Sequence, residues 1–160
     1  MAGKRDIAWV ADAIVTQLKS SLPAKLDALD IEYGDDITLE DIPNDFYYIS
    51  ERTRLDGFPL CCVVPRRTEL QPFAGAQRYD IEYHHLTLAA ALTLNEDEDQ
   101  LKRRCLRTVR GIEEVLLTHF TLNGSVDDLL VIDKQYAPLL SDGNALLQEG
   151  QIAVRAMIHV

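Results

Sequence analysis

RYDIEYHHLTLAAALTL, residues 78–94, is the longest stretch of strand-forming sequence in the chain and decides what fold the chain can adopt. It contains neither proline nor glycine, the residues that most often interrupt a strand. At about 3.3 Å per residue it spans about 55 Å, far more than the roughly 17–20 Å of a usual strand. The sequence therefore predicts a strand long enough to extend beyond the sheet of a small domain.

The apolar side of this strand changes along its length. In its second half the even positions are apolar, whereas in its first half the same side carries Asp80, Glu82 and His84 and the odd positions are apolar. Such a change requires either a bulge within one sheet or an outer half that packs against something else. We expect the second arrangement: a long projecting hairpin over 58–94, whose far end at 66–83 packs on another subunit.

Helical and strand periodicities place the other elements on either side of this hairpin. In chain order they are helices over 6–21 and 23–29, an irregular connection over 35–56, a strand over 58–64, a helix over 96–120, and strands over 129–136 and 147–160. Pro23 separates the first two helices, and Pro65 bounds the first strand. We therefore predict a single α+β domain over 1–160, with a mostly antiparallel sheet of about four strands packed against the N-terminal helix and one long helix.

The composition is that of a folded, acidic protein. A length of 160 residues fits one domain, and 26 acidic residues against 16 basic ones give a formal charge of −10. That charge has the wrong sign for a surface that grips nucleic-acid phosphates, so we expect no tight binding to DNA. We find no apolar run long enough to span a membrane, no signal-peptide pattern at the start and no disulfide framework in the three cysteines, and we expect a soluble, intracellular protein.

Acidic and basic residues are concentrated in different parts of the sequence. Residues 27–56, the acidic segment, contain ten acidic residues and two arginines, a net charge of −8. Arg103, Arg107 and Arg110 form an arginine face at helical spacing, opposite the apolar stripe of the long helix. Both regions could simply face solvent, the arginines with partners four residues away. The alternative is that the arginine face of one copy docks on the acidic segment of a neighbouring copy.

The sequence offers little for catalysis or cofactor binding. It has no Gly-x-Ser-x-Gly nucleophile elbow, and its glycines are too dispersed for a P-loop or a dinucleotide fingerprint. Glu82 and His84 share one side of a strand and His85 is adjacent, but they are too few for a metal site. We therefore expect no catalytic residue, no metal and no cofactor.

The order of elements, together with several short segments, resembles one family of proteins. The segments are Leu22-Pro-Ala-Lys-Leu26 after an amphipathic helix, Glu32-Tyr-Gly-Asp35, an apolar strand led by Pro59, and Thr121-Leu-Asn-Gly124 between the long helix and two closing strands. In this order they resemble the neck proteins of tailed bacteriophages, and most of all the tail terminator or tail-completion family. The resemblance covers nearly the whole chain.

This resemblance implies a structural virion protein and not an enzyme. It implies a ring of identical subunits, expected to be a hexamer, that ends polymerisation of the tail tube and joins the tail to the head. The partners would be other copies of the chain, the tail tube protein and a head-tail connector or neck protein. The ring would be assembled in the host cytoplasm, and genomic DNA would pass through it without specific binding, because carboxylates repel phosphates.

A ring of this kind brings two different patches of each subunit together. The arginine face, the acidic segment and the outer part of the hairpin are the candidates for these patches. The residues assigned to them are Arg103, Arg107, Arg110, Asp35, Asp36, Glu40, Asp41, Arg66, Arg67, Tyr79, Ile81 and Tyr83.

Three other functions stay open on the sequence alone. A head-completion or connector protein would share the α+β character and the ring. A small enzyme would place Asp80, Glu82 and His84 in a concave pocket with perturbed pKa values. A cytosolic adaptor would stay monomeric and bind its partner through the acidic segment.

Overall fold

Two helices cover one face of a six-stranded sheet, which confirms the predicted α+β class with more strands than the expected four or so. The structure, a computed structural model, describes residues 5–52, 57–72, 79–94, 97–142 and 145–160. Its elements are helices α1 (Ile7–Tyr33) and α2 (Glu98–Thr118), a 3-10 helix (Asn44–Phe46), and strands β1 (Tyr47–Tyr48), β2 (Leu60–Pro72), β3 (Tyr79–Leu94), β4 (Asp128–Tyr136), β5 (Leu140–Asp142) and β6 (Ala145–His159).

Helix α1 runs from Ile7 to Tyr33 without interruption, so the prediction of two separate helices is wrong. Asp6 caps its start by accepting a hydrogen bond from the Trp9 N–H at 2.9 Å. Pro23 lies inside the helix, where it removes one backbone donor. The helix continues because one apolar stripe is buried in the core both before and after the proline. Its buried members are Val10, Ala11, Ile14, Leu18, Leu22, Leu26 and Leu29.

The connection after α1 is irregular, as predicted, and it is fixed to the body of the domain. Gly34 ends α1 in left-handed backbone geometry with φ of 60°, and its N–H donates to the Asp30 carbonyl at 3.0 Å. The Asp30 carboxylate accepts a hydrogen bond from the Leu39 N–H at 3.1 Å. Leu39 and Ile42 are buried in the main core. These anchors hold the acidic residues of 35–41 close to the helices.

The sheet is mostly antiparallel, as predicted, with its strands in the order β1-β2-β3-β6-β4 and with β5 also beside β6. The short β1 runs parallel to β2. β2 continues through Pro65 to Pro72, although we expected it to end at Pro65, and its register against β3 shifts between Pro65 and Arg67. A proline cannot donate to a strand ladder, and this bulge lets the strand continue past it. The short β5 was not predicted.

Strand β3 has a neighbour on both sides over most of its length, whereas we expected its outer half to project from the domain and pack on another subunit. β6 pairs with residues 81–94 without a break in register, and β2 pairs with residues 79–91. The strand keeps one buried side from His84 to Leu92, because His84 is 1% exposed on the same side as the apolar residues, whereas Glu82 on that side is half-buried and Asp80 is exposed. The His84 Nδ1 lies 2.9 Å from Thr68 Oγ1, so the polar ring has a partner there. The predicted tip at 73–78 lies outside the described residues.

Helix α2 matches the predicted helix over 96–120 to within two residues at each end. Two glycines let it pack closely on its neighbours. A Cβ on Gly111 would lie 2.9 Å from Leu26 Cδ2 of α1, and a Cβ on Gly150 of β6 would lie 2.5 Å from Val109 Cγ2. The predicted stripe is buried against α1 and the sheet as far as Leu116, whereas its predicted end at His119 or Phe120 lies beyond α2 and Phe120 is 49% exposed. The buried members are Leu101, Cys105, Thr108, Val109, Ile112 and Leu116.

Candidate functional site

The two faces of the sheet have different environments. Successive side chains of a strand point to opposite faces, so the even and odd residues of β3 and β6 form two separate sets. The even residues point to α1 and α2 and are buried: Leu86, Leu88, Ala90, Leu92, Ile152, Val154, Ala156 and Ile158. The odd residues point to the opposite side, over which the described part of the chain places neither helix. We refer to this side as the open face.

The open face carries apolar, polar and charged side chains. Most of them are half-buried, because neighbouring side chains on the same face cover part of each one. Tyr83 of β3 lies opposite Met157 of β6, and Thr87 lies opposite Ala153. The Arg155 guanidinium packs over the Tyr83 ring, 4.8 Å from its centroid. A contact of this kind contributes about 0.5–1 kcal/mol at an exposed site. Tyrosine, methionine and arginine are also the residue types that are enriched at protein interfaces.

The outer part of the hairpin adds charged pairs at the margin of the open face. Arg66 Nη1 lies 2.6 Å from Glu51 Oε1, and Arg66 Nε donates to Thr87 Oγ1 at 3.3 Å. Arg67 lies 2.6 Å from Glu69. Both ion pairs are largely exposed to solvent, so they orient these side chains and contribute little to the free energy of unfolding.

The apolar hairpin residues assigned to an interface lie beside these charged pairs. Ile81 and Tyr83 are half-buried on the open face. Tyr79 occupies the first position of β3, opposite Pro72, and its side chain is outside the described part of the structure. The structure thus brings Arg66, Arg67, Ile81 and Tyr83 to one surface, and their binding to another copy stays a prediction.

A recess of about 340 Å³ lies on the open face, with Glu51 and Arg52 among its walls. Its floor is apolar and includes Cys62, Val64, Ala89, Ala91 and Leu147. Burial raises the pKa of the Cys62 thiol, so the thiol is protonated and poorly nucleophilic at neutral pH. The recess can accept an apolar group but offers little for covalent chemistry.

The predicted match between the arginine face and the acidic segment exists, but within one chain. Arg107 donates two hydrogen bonds to the Asp35 carboxylate, at 2.9 and 2.6 Å, and lies 3.8 Å from the centroid of the Tyr33 ring. The hydrogen bond from Arg107 lowers the pKa of Asp35 to about 2 and raises the pKa of Arg107 itself. Arg107 is 6% exposed, so its charge is already neutralised inside its own chain.

The neighbouring arginines make similar contacts. Arg110 donates to Glu32 at 3.0 Å and to the Tyr33 hydroxyl at 2.9 Å, and Arg104 lies 3.5 Å from Glu40. The remaining residues of this predicted contact are exposed at the surface: Arg103, Asp36 and Asp41. We predicted that the arginine face of one copy docks on the acidic segment of a neighbouring copy. The structure instead shows an intramolecular contact, which fixes the acidic segment to α2. Sequence reasoning could not separate the two cases, because composition specifies the charges and not the chain that supplies them.

The alternative enzyme site around His84 is closed to solvent. The His84 ring is buried, and its Nε2 lies 3.1 Å from Glu82 Oε2 but without hydrogen-bonding geometry. Burial lowers the pKa of His84 and outweighs the opposing effect of the Glu82 carboxylate, so the ring is neutral at pH 7. Asp80 is exposed. Because His84 is 1% exposed on the helix-covered side of the sheet, a substrate has no access to its ring in this fold, which argues against this cluster as a catalytic centre.

Sequence reasoning missed a second recess, of about 290 Å³, between α1 and the turn after α2. The exposed Trp9 borders it, and an exposed tryptophan in a helical pattern was the available signal. Leu122 and Asn123 have left-handed φ values of 48° and 57°. Leu122 is held in this conformation by its buried side chain, and Asn123 Nδ2 donates to Gln17 Oε1 at 3.1 Å. The recess is therefore bordered by a fixed turn.

No cluster of three or more metal-ligating side chains occurs among the residues that the structure describes. Neither described helix combines the length and apolarity that a membrane crossing requires. All three cysteines are free and buried. No protein-family model matches the chain, and no curated protein matches its sequence. The open face, which carries Tyr83, Met157 and Arg155, is the candidate binding surface.

Proposed function

We propose that the protein is a structural subunit of a phage neck, a tail terminator that forms a ring at the head-proximal end of the tail tube. The open face carries this proposal. It leaves one side of a six-stranded sheet without a helical layer in the described part of the chain. Tyrosine, methionine and arginine are enriched at protein interfaces, and the open face carries all three in Tyr83, Met157 and Arg155. A subunit of a larger assembly needs such a surface.

Charge gives independent support for this role. The chain has a formal charge of −10, and an acidic channel repels the phosphates of DNA that passes through it. The proposed hexameric copy number, the partners and the location in the virion follow from the resemblance of the element order to the tail terminator family. The closed environment of His84 also fits a non-enzymatic role.

The proposal can be tested with the purified chain and the tail tube protein of the same phage. We expect negative-stain electron microscopy to show rings with a central hole on one end of each tube, and tubes that stop growing when the chain is added. A double variant of the open face, Tyr83→Lys with Met157→Lys, should lose both effects. A matched variant on the exposed side of α1, Ala24→Lys with Ile31→Lys, should keep them.

Particles assembled without the protein separate the related functions. Abnormally long tails would indicate lost termination and support the proposal. Normal tails beside unjoined heads would instead indicate a head-completion or connector protein. Particles that are normal in both respects, together with tubes that grow unchanged in the presence of the chain, would contradict a role in the neck.

A further inference from the structure

Two edges of the sheet lack a neighbouring strand among the described residues. β4 pairs with β6 on one side and with no described strand on the other. β1 covers β2 at Cys61 and Cys62, which leaves the outer part of β2, residues 64–72, as a second edge. Along an edge strand, unpaired N–H and C=O groups point outward and can pair with another chain.

The edge of β4 is long and partly apolar, although its register against β6 shifts between Val131 and Asp133, a bulge of the kind that can protect an edge. Its nine residues include no proline, and its one lysine, Lys134, is held by Glu113 of α2 at 2.6 Å. Leu130 and Ile132 are 45% and 54% exposed on this strand. Soluble proteins commonly protect edges with free charges or prolines. A long edge with exposed apolar side chains therefore indicates a surface that a partner covers.

We infer that β4 of one copy pairs with residues 66–71 of β2 in the next copy, the stretch between Pro65 and Pro72, which have no N–H to donate, so that the sheets of neighbouring copies become continuous. The inference rests on the proposed ring, because it names the contact that joins one subunit to the next. Each subunit then uses two different edges, which is the requirement for a closed ring of more than two copies.

Strand direction supports this contact. β2, β3, β6 and β4 alternate in direction across the sheet, so β4 is antiparallel to β2 of its own chain. Rotation about an axis along the strands leaves their directions unchanged. β4 of one copy and β2 of the next therefore meet antiparallel, and the alternation continues across the boundary.

Charge favours the pairing of unlike edges over the pairing of like ones. The outer part of β2 carries Arg66, Arg67 and Glu69, a net charge of +1 (2 minus 1), and β4 carries Asp128, Asp133 and Lys134, a net charge of −1 (1 minus 2). Two copies of the β2 edge would bring arginines together, whereas β2 beside β4 brings arginines near carboxylates. The present ion pairs of Arg66 and Arg67 are solvent-exposed, so their exchange for new partners costs little.

Two double variants test the contact by blocking one edge each. Leu130→Lys with Ile132→Lys blocks β4, and Leu70→Lys with Gln71→Lys blocks β2. All four side chains are exposed, so each variant should fold, which circular dichroism and thermal melting check. Both blocked edges carry added positive charge, so a blocked β4 cannot pair with a blocked β2. Ala24→Lys with Ile31→Lys, on α1, again serves as the control.

Sedimentation velocity, alone and with tail tube protein, should find closed oligomers for the wild type and the control. Each blocked variant should be monomeric alone, with subunit affinity weakened by at least about 100-fold. An equimolar mixture of the two should form dimers and stop there, since it contains one usable β4 edge and one usable β2 edge per pair. This limited rescue distinguishes unlike edges from like edges.

Other outcomes overturn the contact. Dimers of the β2-blocked variant alone would mean that β4 pairs with β4, and dimers of the β4-blocked variant alone would mean that β2 pairs with β2. A wild-type chain that stays monomeric up to about 1 mM, with and without tube protein, would also exclude it. Rings formed by both blocked variants would refute the edge contact and leave the proposed function standing. Oligomers that depend on the two edges but do not stop tube growth would support the edge contact and contradict the proposed function.

Discussion

The same strands form the helix-covered face and the open face, and the two faces differ in burial and in composition. On the covered side, alternate residues of β3 and β6 are aliphatic and almost fully buried against α1 and α2. On the open face, the residues between them are half-buried and include Tyr83, Thr87, Gln151 and Arg155. Burial of aliphatic side chains on the covered face stabilises the domain. Substitution of half-buried side chains on the open face lowers the free energy of unfolding less, so these side chains can serve in binding.

In a two-layer α+β domain, the face of the sheet that the helices leave uncovered is the one available for binding. A sheet needs one buried face to fold, and the other face is free to adapt to a partner. In this chain, the small second cluster around Leu60, Cys62 and Val64 covers only one end of the open face. The remaining area combines aromatic, thioether and guanidinium side chains, which suits protein binding.

The largest expected effect comes from a substitution on the covered face. Leu88→Ala should lower the free energy of unfolding by about 2–5 kcal/mol, because Leu88 is 1% exposed and its loss leaves a cavity. Thr87→Ala, one residue away on the open face, should cost less than about 1 kcal/mol. Urea denaturation of both variants measures the difference. Similar costs for the two would show that the open face is buried in the monomer.

An intermediate effect is expected where the acidic segment is fixed to the helical layer. Arg107→Ala should cost about 1–3 kcal/mol, because it removes a bidentate bond and the packing on Tyr33. The pKa of Asp35 is lowered from 3.8 to about 2, so this carboxylate stabilises the fold above pH 3.8 and its contribution is lost as the pH falls toward 2. Stability measured between pH 5 and pH 2 should therefore fall less steeply in Asp35→Asn than in the wild type. An unchanged slope would contradict the pairing.

The smallest effect on stability should come from Arg155→Ala on the open face. The loss of its contact with Tyr83 should cost about 0.5–1 kcal/mol in thermal or chemical denaturation. The same variant should reduce capping of tail tubes, if the open face binds as proposed. Arg103→Ala, an exposed arginine on α2, is the matched control for removing one positive charge. Equal capping by the two variants would place the binding surface elsewhere.

The elements of the fold were largely predictable, because each depends on local periodicity. The α2 stripe and the alternation in β6 are visible over many residues, and both were predicted closely. Pro23 and Pro65 were misread as boundaries, since a local rule cannot weigh one lost hydrogen bond against the burial of residues far along the chain. The apparent change of face in β3 was misread for a similar reason, because the partner of His84 is Thr68 on another strand.

The candidate surfaces were less predictable than the elements. Charges of opposite sign were visible at Asp35 and Arg107, but only the packing of α1 against α2 showed that they meet within one chain. The sequence shows the odd residues that form the open face. It does not show that both described helices pack on the other side of the sheet. The two open edges depend on strand order, which short-range sequence patterns do not specify.

Composition and local residue patterns are enough to specify the acidic charge, the α+β class, the two-residue alternation of β3 and β6 and the burial of one stripe on each helix. These follow from composition and from the geometry of single helices and strands. Long-range packing specifies which face of the sheet the helices cover, which edges have no neighbouring strand among the described residues and which arginines are neutralised within the chain. Those outcomes depend on contacts between residues that are far apart in the sequence, and these contacts form only when all elements pack together.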